Sequence, residues 1–219
     1  MFEPKCIDDI LFGNLVAKDR IKYLVSGEMP FPVSGTSGIL LYGVWGTGKT
    51  TLAKMLPEAI ELAKTKQDLA MGYELIPCKQ GITGPQIMNL LQNITDKVSL
   101  NASGLHYIVI DEVDNLTAEA QKSLKSVLNT TRAVFILTTN YQNRLDHGLM
   151  DRCEKIEMNA ATHGQLTGVI NKISVGMGVT FSQIETNTLI AGSNGSLRSL
   201  IRSTIECGLG KGGKLPSNA

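Results

Sequence analysis

Short apolar runs rich in Ile, Leu and Val alternate, over the first 159 residues, with longer segments in which apolar side chains recur at helical spacing. The runs at 38–42, 73–77, 106–110, 133–139 and 154–158 suit strands buried on both faces, and the periodic segments at 14–26, 50–63, 84–98 and 117–128 suit helices. Strands separated by helix-length segments need crossovers, so the expected class is α/β, with a five-stranded parallel sheet covered by helices. Past residue 159 the strand pattern stops. The chain there reads as helix at 162–174, 181–191 and 195–207, broken at Gly176 and Gly178. The expected organisation is an α/β base over 1–159, a small helical domain over 160–208 and a mobile tail over 209–219, where glycines and Pro216 lie in polar surroundings. No internal repeat is visible.

The first apolar run ends in Gly43-Val44-Trp45-Gly46-Thr47-Gly48-Lys49-Thr50-Thr51, a GxxxxGK[ST] match placed between an expected strand and an expected helix. Glycines let successive backbone N–H groups turn inward around phosphates, and the following helix adds its positive N-terminal end. Lys49 can reach the β- and γ-phosphate oxygens, and the Thr50 hydroxyl can ligate Mg²⁺. This loop makes ATP and Mg²⁺ the expected ligands. Trp45 occupies a variable slot, as a hydrophobic cover or a subunit contact. Farther on, the apolar run Tyr107-Ile108-Val109-Ile110 ends in Asp111-Glu112-Val113-Asp114. Carboxylates at the end of a buried strand need a reason: Asp111 can hold Mg²⁺ and Glu112 can polarise the water that attacks the γ-phosphate. Asp114 reads as part of an acidic loop capping the next helix, a cap for which Asp114 or Thr117 would serve.

Composition narrows the class without choosing a partner. The chain has 219 residues, 42% hydrophobic and 19% charged, with Lys+Arg at 21 against Asp+Glu at 20 and a formal net charge of +1. It is expected to fold as a globule, and nothing in its overall charge pulls it toward nucleic acid. No apolar stretch has the length of a membrane span and the opening residues lack a signal-type pattern, so a soluble intracellular protein, cytoplasmic or in the nucleoid or nucleus, is expected. Cys6, Cys78, Cys153 and Cys207 are scattered without a CxxC pair, which reads as reduced packing thiols.

Beyond these motifs, Thr138-Thr139-Asn140 closes the fourth run, Leu149-Met150-Asp151-Arg152-Cys153 follows it, and Gly195-Ser196-Leu197-Arg198 opens the last helix. In this order and spacing the chain resembles the AAA+ ATPases over nearly its whole length. The resemblance implies that Asn140 is a sensor contacting the γ-phosphate or its attacking water. It implies that Arg152 is an arginine finger entering a neighbouring subunit's site, and that Arg198 is a second sensor whose guanidinium forks onto phosphate from the helical lid. Glu112, Lys49, Asn140, Arg152 and Arg198 are then the catalytic set. The alternatives are an ion pair of Arg152 with Asp151 or Glu154 and a solvated Arg198; Arg144 and Arg202 are lower-ranked candidates.

Within that group the chain is similar to the clamp-loader branch, that of replication factor C small subunits and phage clamp-loader subunits. Phe2-Glu3-Pro4-Lys5, Ile7-Asp8-Asp9-Ile10 and Phe12-Gly13-Asn14 resemble their opening, Ala120-Gln121 with Leu124-Lys125 the helix after the acidic box, and Thr131-Arg132 the approach to the sensor strand. The chain departs from that branch where its Arg-Arg pair reads Lys125-Ser126, the acidic residue closing the helix reads Asn129, and the Ser of Ser-Arg-Cys reads Asp151. It lacks the four-Cys zinc insertion of bacterial clamp-loader ATPases. No collar follows the lid, which leaves a truncated chain or assembly through the ATPase domains alone.

The resemblance implies a homo- or hetero-oligomeric ring through the Arg152 face, DNA as a partner, and a sliding clamp or another protein as a second one. The loop 78–84 has no aromatic residue with which to grip a polypeptide; Lys79 and its glycines suit a phosphate backbone or a plain solvent loop. Lys122, Lys125 and Arg132 can extend a basic rim or simply be solvated. The expected function is an ATPase whose nucleotide state controls DNA binding, the alternative being an ATP-dependent switch or remodeller of a protein partner without DNA.

Overall fold

The computed structural model describes residues 4–78 and 80–215; what the sequence suggests for Phe2, Glu3, Lys79 and 216–219 lies outside the described residues. Strands β1 (Gly38–Tyr42), β2 (Glu74–Pro77), β3 (His106–Asp111), β4 (Ala133–Thr139) and β5 (Cys153–Glu157) form one parallel sheet in the order β2-β3-β4-β1-β5. Position in the sheet explains each composition. Central β4 buries every residue and reads Ala-Val-Phe-Ile-Leu-Thr-Thr, whereas edge β2 buries only Ile76 and ends in Pro77, which an open edge tolerates. Edge β5 buries Cys153 and Ile156 and turns charged residues outward between them.

Helix α1 (Leu15–Ser26) precedes β1, and α2 (Lys49–Thr65), α3 (Gly84–Thr95) and α4 (Ala118–Val127) are crossovers between successive strands. Leu52, Leu56 and Ile60 form the buried stripe of α2, and Ile87 and Leu91 of α3 pack with Leu124 of α4 against Ile108, Ile110 and Phe135. Fully buried Glu61 in α2 accepts hydrogen bonds from the Tyr107 hydroxyl at 2.8 Å and the Ser103 amide at 2.9 Å, so its charge is not left bare. The four expected helices and five strands are all present, with shifted ends. Helix α3 stops at Thr95 instead of 98, because the carbonyl of Lys97 turns back to the His106 ring at 3.0 Å and Ser99 to the carbonyl of Leu105. Strand β5 begins at Cys153, where it pairs with Gly38. Helix α5 (His147–Met150) and the 3₁₀ turns at Ile7–Asp9, Val113–Asn115 and Gln142–Arg144 carry too few residues to show periodicity in a sequence.

Helices α6 (His163–Met177), α7 (Gln183–Gly192) and α8 (Leu197–Gly210) surround Leu166, Ile170 and Leu200. Side chains of Thr162, Ser182 and Ser196 cap their N-termini. Of the two glycines expected to break the first of these helices, Gly176 lies inside α6 and only Gly178, at φ 68°, ends it. The segment 209–215, expected as a mobile tail, is instead tied down. Helix α8 runs to Gly210, the Lys214 amide donates to the Met177 carbonyl at 3.2 Å, and Lys211 pairs with Glu185 at 2.7 Å.

By backbone contacts the chain divides into two compact units. One comprises Leu15–Gly43 and Lys49–Glu157 and holds the sheet; the other comprises the described parts of Met1–Asn14, Val44–Gly48 and Met158–Ala219. Among the described residues no helix is long and apolar enough to cross a membrane.

Candidate functional site

In the sheet unit the parallel register sets Tyr42 beside Thr139, and Ile110 beside Leu137, so the ends of β1, β3 and β4 are neighbours. Asp111, the last residue of β3, accepts hydrogen bonds at one carboxylate oxygen from the Thr50 hydroxyl at 2.8 Å and the Thr138 hydroxyl at 2.6 Å. The Thr138 oxygen in turn accepts the Glu112 amide at 2.9 Å. Glu112 takes the left-handed backbone conformation, φ 58° and ψ 50°, at a cost of about 1–2 kcal/mol to a residue with a side chain. Its carboxylate accepts from Asn115 Nδ2 at 3.2 Å, and the same amide donates to the Cys78 carbonyl at 3.2 Å. Asn140 follows β4 and is half-buried. Buried Lys49 begins α2, its ammonium donating to the Gly43 carbonyl at 3.0 Å, with Thr51 half-buried two residues on. Burial, and then the carboxylates of Asp111, Asp114 and Glu112, push the Cys78 thiol up to about 12.

The metal expectation fits this donor set. A hydroxyl and a carboxylate 2.8 Å apart, Thr50 and Asp111, are hard oxygen donors of the kind that hold Mg²⁺ beside waters and phosphates.

In the other unit, Val44 and Trp45 are exposed, whereas Thr47 is buried with its hydroxyl donating to the Val44 carbonyl at 3.1 Å. Gly46 has φ 70°, and a Cβ there would collide with the Ser196 side chain. Gly48 has φ 91° and nothing near the place of a Cβ, so backbone conformation alone demands glycine there. The Leu197 amide donates to the Gly46 carbonyl at 3.0 Å, and Arg198, next in the chain, is exposed in the first turn of α8.

Arg152 lies apart from the carboxylate cluster, between α5 and β5. Neither carboxylate considered as its ion-pair partner holds it: Glu154 pairs with Arg20 at 2.7 Å, while Arg152 donates to Asn129 Oδ1 at 3.0 Å and the Gly148 carbonyl at 2.8 Å. Of the lower-ranked arginines, Arg144 stacks 3.9 Å from the centre of the Tyr141 ring and Arg202 pairs with Glu206 at 2.9 Å. Asp114, read as a helix cap, accepts the Thr139 hydroxyl at 2.6 Å, and the cap of α4 is Thr117. Lys122 and Arg132 are exposed, and Lys125 approaches Asp146 at 3.7 Å. Thr138, Asn115 and Asn129 were not among the sequence candidates. Thr138 had a signal, a hydroxyl at the end of an otherwise apolar strand, and Asn129 stood out as a departure from the resembled branch.

Among known proteins, the chain is 24% identical over 208 residues to replication factor C subunit 3 of Saccharomyces cerevisiae, covering 94% of this chain and 58% of that one. It is 28% identical over 207 residues to replication factor C subunit 4 of Schizosaccharomyces pombe, covering 91% and 56%. The chain thus spans less than two thirds of these relatives. The solved structure of the Thermotoga maritima RuvB Holliday junction branch migration motor matches with a TM-score of 0.68 at 20% identity, over 93% of this chain and 64% of that one, which shows a shared fold. The model of the ATPase family associated with various cellular activities matches residues 39–160. Those residues run from the strand before the phosphate loop to the end of the sheet and make up more than half of the chain, which therefore belongs to the AAA family of ATPases.

Proposed function

We propose that this chain is the ATPase unit of an oligomeric, clamp-loader-like assembly that binds ATP where subunits meet and uses hydrolysis to control binding to DNA. The observation that carries the reading is the cluster at the ends of β3 and β4, in which Thr50, Asp111, Thr138 and Glu112 share one hydrogen-bonded chain. In this reading Gly43, Val44, Trp45, Gly46, Thr47 and Gly48 wrap the phosphates with backbone N–H groups, Lys49 neutralises their charge, and Thr50, Thr51 and Asp111 complete the polar floor. Thr50 and Asp111 would hold Mg²⁺, which when bound would supply positive charge to the triphosphate. Glu112 orients and polarises a water. The water oxygen adds to the γ-phosphorus, its proton passing to the Glu112 carboxylate and then to the released phosphate, as the bond to the β,γ-bridging oxygen breaks, giving ADP and phosphate. Asn140 and Arg198 contact the γ-phosphate region.

Arg152 serves a neighbouring copy or a related subunit. Phosphoryl transfer needs charge neutralisation more than covalent help, so an arginine supplied by a neighbour makes turnover depend on assembly. Similarity to replication factor C subunits supports DNA as the polymer, with a sliding clamp as the protein partner. A near-neutral chain then binds DNA through one face repeated around a ring.

The test measures DNA binding by Glu112→Gln across a salt series, with ATP and without nucleotide. Binding that needs ATP and weakens with salt is expected. Absence of binding at low salt overturns the DNA half of the proposal and favours a protein-directed switch. Wild-type turnover in both Glu112→Gln and Arg152→Ala overturns the site assignment.

A further inference from the structure

The guanidinium of Arg152 is held by two neutral acceptors, Asn129 Oδ1 on its Nε–H and the Gly148 carbonyl on its Nη1. Both are anchored. Asn129 follows buried Leu128, whose carbonyl accepts the Ser37 hydroxyl at 2.8 Å. Gly148 lies in α5, which is capped by the Asp146 carboxylate accepting the Leu149 amide at 3.0 Å, and a Cβ at Gly148 would fall 2.7 Å from Lys125 Cδ. A guanidinium carries five donors in one plane, so with two engaged the rest stay available, and Arg152 is partly exposed. Among the described residues no carboxylate lies within ion-pair distance of it.

We infer that Asn129 is a positioning residue for Arg152: its amide oxygen fixes the guanidinium without neutralising it, keeping the full positive charge for a triphosphate held by a second subunit. The inference rests on the finger reading of Arg152. A leucine at 129 would keep the bulk but remove the acceptor of the Arg152 Nε–H. An alanine would leave the long side chain to be ordered anew at every encounter.

Steady-state turnover of the full chain, ATP-analogue binding and thermal melting test this. Asn129→Ala is expected to lower kcat about 10- to 100-fold at unchanged KM and melting temperature. Asn129→Leu, which also lacks the acceptor, is expected to lower kcat to a similar degree. In an Arg152→Ala background neither change has anything left to remove. Parent kcat in both Asn129 variants, an Asn129 effect that persists without Arg152, or a loss that comes with a lower melting temperature and a raised KM overturns the positioning role. Parent kcat in Arg152→Ala alone overturns the finger reading beneath it, an outcome distinct from all of these.

Discussion

At the centre of the sheet, Asp111 takes two hydroxyl hydrogen bonds on one oxygen, and buried Thr138 relays to the Glu112 amide. At the β5 edge, Arg152 has one side-chain amide and one backbone carbonyl as partners and part of its surface in solvent. The central cluster satisfies buried Thr138 and half-buried Thr50 and Asp111 by mutual hydrogen bonds, with the Glu112 side chain exposed beside them. The edge arginine is oriented but keeps its charge uncompensated, which is tolerable only where water or a partner reaches it. In the proposed function the centre acts on a ligand within its own chain, and the edge on one held by a neighbour.

The strongest way to break this contrast is Arg152→Ala, for which a turnover loss of about 10³- to 10⁵-fold is expected. Glu112→Gln should lose about 10²- to 10⁴-fold in kcat while keeping ATP-analogue affinity. Mixing the two variants should restore turnover, because each lacks what the other supplies; a mixture no faster than its parts would place both functions in one chain.

Folding stability separates the regions next. Thr138→Val strips the Glu112 amide and Asp111 of a buried partner and should cost about 1–3 kcal/mol in urea unfolding, against less than about 0.5 kcal/mol for exposed Asn129→Ala. Equal costs would erase the distinction.

The smallest expected effect lies away from both sites. Lys211, and then the Ser182 amide and hydroxyl, hold the Glu185 carboxyl down to about 2. A carboxyl depressed in the folded state contributes stability that is present above its ordinary range and lost as pH falls through the folded value. A Glu185→Gln variant should therefore differ in stability from the parent near neutrality and converge with it between about pH 4.5 and 2. A gap that stays constant with pH would show that packing, and not charge, makes the difference.

Much of the centre was legible because its determinants are local. The glycines of the phosphate loop answer to backbone conformation, and an Asp-Glu pair after Tyr107-Ile108-Val109-Ile110 stands out because apolar strands do not end in acids without cause. Thr138 was harder to see, since a threonine closing a strand is common and its bridge to Asp111 exists only once β3 and β4 pair in register. Asn115 gave no signal, as asparagines in turns are common, and Asn129 stood out only as a departure from the acidic residue of the resembled branch, with nothing to tie it to Arg152. Conversely, two charged neighbours of Arg152 suggested an ion pair that the fold gives to Arg20 and Glu154 instead.

By itself the sequence determined the class of fold, the five strands and the phosphate loop, because apolar periodicity and positive-φ glycines are properties of a few adjacent residues. Only the tertiary structure decided the strand order, the grouping of Val44–Gly48 with the helical unit, and the partners of Asp111, Glu112 and Arg152. Asn129 with Arg152 and Thr50 with Asp111 join residues 23 and 61 positions apart, whose meeting is fixed by packing and register rather than by spacing along the chain.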